Sequence, residues 1–61
     1  MPHIQITMLK GRTIEQKRKI VERVTDAMVE ANAPREGVVV SIIEVERESY
    51  AHGGVLMADK K

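Results

Sequence analysis

Few side chains in this 61-residue chain could take part in chemistry. Pro2 follows Met1, Arg12 stands next to Gly11, Tyr50 is the only aromatic residue, and His3 and His52 lie towards opposite ends. There is no cysteine, which excludes thiol nucleophiles and disulfides. The histidines have no ligand spacing around them, so a metal centre is not expected and both read as structural or surface groups. Arg12 has a planar guanidinium that can hold a carboxylate through two parallel hydrogen bonds. A cation at the start of a helix also opposes the helix dipole, which favours a binding role over a solvated surface position. Pro2 by itself reads as a proline opening an edge strand, where its missing N–H costs nothing.

The elements that must position these residues follow from periodicity. From Pro2 to Leu9 the chain alternates, with Ile4, Ile6 and Met8 on one side and His3, Gln5 and Thr7 on the other, as a strand with one buried face does. Gly11 breaks the run, and Thr13 followed by Gln16 forms the pattern of a capping box. The helix that it opens runs from Ile14 to about Asn32, with Ile20, Val21, Val24, Ala27, Met28 and Ala31 forming its apolar stripe. Asn32 can adopt the left-handed conformation and Pro34 cannot continue the helix.

After a turn at Arg35, Glu36 and Gly37 comes a second strand, Val38 to Val45, rich in β-branched residues and expected to be mostly buried on both faces. Strand, helix and strand in this order form a βαβ unit with parallel strands. Gly53-Gly54 then marks a hairpin around Tyr50-Ala51-His52 and Val55-Leu56-Met57. The fold class is α+β: one domain over residues 1–61, a single β-α-β unit plus a C-terminal β-hairpin. The hairpin has little to pair with in its own chain and is expected to lie on a neighbour, while the Lys60-Lys61 tail is expected to fray.

Size makes assembly an expectation too. A chain this short withdraws only about 60% of its unfolded surface from water. With neither disulfides nor a structural metal, partner subunits are the remaining source of stability. Ten Lys plus Arg against nine Asp plus Glu give a net charge of +1, too weak a field to gather nucleic acid or an anionic membrane. A single aromatic residue also leaves no stacking platform for bases. No signal-peptide core or membrane-spanning run is present, so the expected location is the cytoplasm.

The ordered set Met1-Pro2, Leu9-Lys10-Gly11-Arg12-Thr13, Glu15-Gln16-Lys17, Ala33-Pro34, the Val-rich strand with Glu44, and Tyr50-Ala51-His52-Gly53-Gly54 resembles the 4-oxalocrotonate tautomerase family over nearly the whole chain. The resemblance implies removal of Met1, which leaves Pro2 as a free secondary amine. An apolar pocket and a nearby cation, with Arg12 the candidate, would lower the basicity of that amine and leave it neutral, able to take a proton from an enol and return it to carbon. It further implies that Arg12 binds a substrate carboxylate from another subunit, and that Tyr50 and Leu9 wall the pocket. Tyr50 stands where phenylalanine is the better-known residue, and it could equally be an interface anchor.

The implied assembly is a homohexamer, a trimer of dimers, acting on a small carboxylate such as 2-hydroxymuconate or phenylenolpyruvate without cofactor or metal. One departure stands out. Well-characterised members of that family carry a second arginine on the second strand, and with one residue deleted before Ala33-Pro34 that position falls on Val39 here. Arg35 or Arg47 could reach the site instead, a surface role being the plainer reading of each. The alternative to an enzyme is a non-catalytic oligomeric binding or assembly module that retains the fold.

Overall fold

The alternating run at the start of the chain forms β1, His3–Leu9, in a computed structural model that describes residues 1–60. Ile4, Ile6 and Met8 are half-buried beneath the helix, whereas His3, Gln5 and Thr7 are exposed on the opposite face. Gly11, at φ 136°, takes a backbone conformation that a side chain would oppose, and so turns the chain out of the strand. The helix α1, Ile14–Glu30, then opens on the expected capping box. The Gln16 N–H donates to Thr13 Oγ1 at 3.1 Å, and the Thr13 N–H donates to Gln16 Oε1 at 2.9 Å. Asn32 ends the helix with φ 73°, and the Ala33 N–H bonds back to the Met28 carbonyl at 3.0 Å.

A 3₁₀ turn at Arg35–Gly37 leads into β2, Val39–Val45, which pairs parallel to β1. The register sets Ile4 beside Val40, Ile6 beside Ile42 and Met8 beside Glu44. These residues form the face under α1. The chain continues through a second 3₁₀ turn, Arg47–Ser49, into β3, Ala51–His52, and β4, Val55–Leu56. Gly53 at φ 59° and Gly54 at φ 84° supply the two left-handed residues that a tight hairpin turn requires.

Two expectations need correction. β2 is not covered on both faces: Val39 and Ile43 are 39% and 42% exposed on the side away from α1. The helix stripe is also displaced, since Ala27 and Ala31 are exposed while Thr25 and Val29 are half-buried. The Lys60 N–H lies 3.2 Å from the Met57 carbonyl and closes the last 3₁₀ turn, while Lys61, on which the expected fraying also falls, lies outside the described residues.

One helix on a two-stranded sheet cannot enclose a core. Among the described residues none is fully buried, and the chain extends 42 × 23 × 13 Å. Its radius of gyration is 14.6 Å, against about 10.5 Å for a globular chain of this length. Its accessible surface is 4853 Å², against about 4,000 Å² for a monomeric protein of this mass. The hairpin forms a separate two-stranded sheet and is not hydrogen-bonded to β1 or β2.

Candidate active site

At the C-terminal end of β1 the chain leaves an open cleft of ≈ 540 Å³, lined by Leu9, Arg12 and Tyr50 together with residues of β1, the following loop and Gln16. Three of the residues singled out from the sequence are therefore brought together within one chain. Leu9 and Arg12 flank the Gly11 turn. Tyr50 arrives from the far side of the sequence, where its carbonyl accepts from the Met57 N–H at 2.7 Å and the Arg47 guanidinium donates to the Met57 carbonyl at 2.9 Å. Arg47 thus serves to hold the hairpin segment that carries Tyr50.

The electrostatics of the cleft single out Arg12. Lys10 also lines it, but its ammonium is paired with Glu46 at 3.2 Å. Arg12 makes no ion pair among the described residues, so its guanidinium is available to an anion. It stands at the junction of the cleft with a second groove of ≈ 520 Å³ along α1, floored by Ile20 and Val24 and edged by Arg23. Nearby, the Lys17 ammonium lies 2.7 Å from Glu44, and that hydrogen bond holds the Glu44 carboxyl below its ordinary value of 4.5. Lys10 and the Gly11 backbone N–H act in the same direction.

Pro2 is not in this cleft. Its carbonyl accepts from the Val39 N–H at 3.0 Å, at the opposite end of the sheet. At about 3.3 Å per residue, the run from Pro2 to Leu9 measures about 23 Å, longer than a six-carbon diacid. Within one chain the candidate base and the candidate anion anchor cannot touch the same small molecule. Arg35 lies in the turn before β2, at the Pro2 end, and is ion-paired with Asp26 of α1. His3 Nε2 is 2.9 Å from Ser41 Oγ on the open sheet face, and His52 lies in β3. No cluster of potential metal ligands occurs among the described residues.

Sequence reasoning missed the Lys17–Glu44 tie and the place of Gln16 in the cleft. The spacing of Thr13 and Gln16 points to the cap alone, whereas the cleft shows that this capping side chain also faces the loop holding Arg12.

The family model described as "Tautomerase enzyme" matches residues 2–60. The chain belongs to the tautomerase family. A 2-hydroxymuconate tautomerase of Bacillus subtilis (strain 168) is 45% identical to it over 60 residues, spanning 97% of each chain. The crystal structure of a 4-oxalocrotonate tautomerase homologue superposes with a TM-score of 0.95 at 43% identity, covering 98% of this chain and all of the other. A heterohexamer 4-oxalocrotonate tautomerase from Chloroflexus aurantiacus superposes with a TM-score of 0.94 at 34% identity over the full length of both. This tautomerase is therefore an isomerase, with the parallel βαβ unit and C-terminal hairpin of its relatives. None of its described helices is long and apolar enough to cross a membrane.

Proposed function

We propose that this tautomerase converts a small enolic 2-oxo acid, of the 2-hydroxymuconate or phenylenolpyruvate kind, into its keto form, with Pro2 as the base at a site assembled between protomers. The observation that carries this reading is the cleft where Leu9, Arg12 and Tyr50 converge, while Pro2 stands at the other end of the same strand. Arg12 of one protomer then meets Pro2 of another, and the assembly is a homohexamer built as a trimer of dimers. The uncovered Val39 and Ile43 face supports burial against a second copy.

Removal of Met1, an exposed residue, frees the Pro2 nitrogen as a secondary amine. In a site closed by apolar side chains the neutral amine is favoured over the ammonium. The amine takes the enol O–H proton as the carbonyl forms and the carbon–carbon double bond shifts its electron pair to carbon. The resulting ammonium returns that proton to the carbon, so the catalyst is regenerated and no other reactant is consumed. Arg12 binds the substrate carboxylate through paired hydrogen bonds, and Leu9 and Tyr50 exclude water from the apolar part. No step requires a cofactor.

Steady-state ketonisation of phenylenolpyruvate by wild type, Pro2→Ala and Arg12→Ala tests the assignment. Pro2→Ala is expected to lower kcat and Arg12→Ala to raise KM. Wild-type constants in both variants would refute it.

A further inference from the structure

Within its own chain the loop that carries Arg12 is not held by packing. A Cβ placed on Gly11 would meet nothing within 4 Å, and both Arg12 and the neighbouring Ile14 are exposed. Its geometry depends on polar ties at either end. On the strand side the Lys10 N–H donates to the Val45 carbonyl at 2.9 Å. On the helix side are the Thr13 capping box and the Lys17 N–H bond to the Thr13 carbonyl at 3.1 Å. What joins this helix start to the sheet is Lys17 Nζ donating to Glu44 Oε1 at 2.7 Å, the one side-chain hydrogen bond between α1 and β2 among the described residues.

Exposure distinguishes this pair from its neighbour. Lys10 and Glu46 are 65% and 59% exposed, and solvent screens such a contact heavily. The side chains of Lys17 and Glu44 are 29% and 27% exposed, less than half the values of the Lys10–Glu46 pair, so solvent still reaches this contact but screens it less. Glu44 lies beside Met8 in the β1–β2 register, one position before the strand end from which the loop departs.

We propose that Glu44 is a positioning residue for Arg12: by holding Lys17 against the sheet it fixes the start of α1, and with it the loop that presents the guanidinium to the substrate carboxylate. The inference rests on the reading of Arg12 as that carboxylate's anchor. It adds a residue outside the cleft on which binding, and not the proton transfer, depends.

The test is a double-mutant cycle on phenylenolpyruvate ketonisation with wild type, Arg12→Ala, Glu44→Gln and the double variant. Glu44→Gln should raise KM about three- to tenfold with kcat within about twofold, and should change KM less than about twofold when Arg12 is already alanine, because the two residues share one function. A purely structural role would instead reduce the concentration of folded enzyme, lowering apparent kcat at unchanged KM. A wild-type KM in Glu44→Gln, or an equal effect in both backgrounds, overturns the positioning role while a raised KM in Arg12→Ala leaves the anchor reading intact. An unchanged KM in Arg12→Ala overturns both. If Glu44→Gln fails to assemble, Lys17→Gln severs the same tie from the helix side; its KM should rise likewise, and a wild-type KM there overturns the proposal.

Discussion

The backbone N–H of Val39 donates to the Pro2 carbonyl at 3.0 Å, and this bond fixes the start of β1 at the end of the sheet farthest from Arg12. Parallel pairing gives the arrangement its consequence. Every later residue of β1 is carried away from Pro2, so the cleft at Leu9 and Arg12 does not include the proline of its own chain.

A complementation experiment follows from that separation. Pro2→Ala and Arg12→Ala proteins, each impaired, should regain activity when unfolded together and reassembled. Random mixing leaves about a quarter of the sites with both native residues, since each is drawn independently from an equal pool. Recovery of about a quarter of the wild-type rate is expected; no recovery despite mixed assembly would place both residues in one chain's site.

Substrate charge should follow Val39. Val39, whose N–H donates to the Pro2 carbonyl, carries no charge to meet a second carboxylate at the Pro2 end of the strand. Val39→Arg is expected to lower KM for dicarboxylated 2-hydroxymuconate about tenfold or more, the effect of one charge-assisted hydrogen bond, and to leave KM for phenylenolpyruvate nearly unchanged. Parallel kinetics on the two substrates would check it.

The Glu44–Lys17 pair predicts an acid dependence of stability. Because Lys17 lowers the Glu44 carboxyl in the folded chain, the ionised pair stabilises the fold at neutral pH. That contribution is present above the unfolded carboxyl's ordinary range and is lost as pH falls through the lower folded value. Urea unfolding at a series of pH values below 5 should therefore show wild type converging towards Glu44→Gln in stability. Parallel curves for the two proteins would contradict the pairing.

The helix cap, which also ends the loop that carries Arg12, gives a stability prediction of its own. Thr13→Ala removes the acceptor for the Gln16 N–H and should cost about 1 kcal/mol. Denaturant titration of the assembled protein measures it, with Thr13→Ser as a control that keeps the hydroxyl.

Local chemistry was legible in the sequence. The Thr13–Gln16 box, the left-handed Asn32 and the Gly53-Gly54 turn each depend on a few neighbouring residues, and each appears where the spacing placed it. The face of β2 bearing Val39 and Ile43 departs from its apolar pattern for a physical reason: β-branched spacing marks a surface suited to burial without saying what covers it, and one chain leaves that face bare. Ala27 and Ala31 mislead in the same way, on a flank that α1 does not turn towards its own sheet. The Lys17–Glu44 tie was invisible because it needs the β1–β2 register and the placement of α1 over the sheet. Pro2, Arg12, Leu9 and Tyr50 could be named from the ordered motifs, which also implied that Arg12 comes from another subunit; the strand geometry sets Pro2 apart from the other three within one chain.

The most direct test is the rate of phenylenolpyruvate ketonisation by a protein whose proline nitrogen stays acylated, made by inserting a lysine between Met1 and Pro2 so that the methionine is retained. With assembly verified by sedimentation, kcat/KM should fall by about 10²-fold or more, the usual contribution of a positioned general base. An acylated protein that turns over as fast as the one with a free amino-terminal proline would contradict the account.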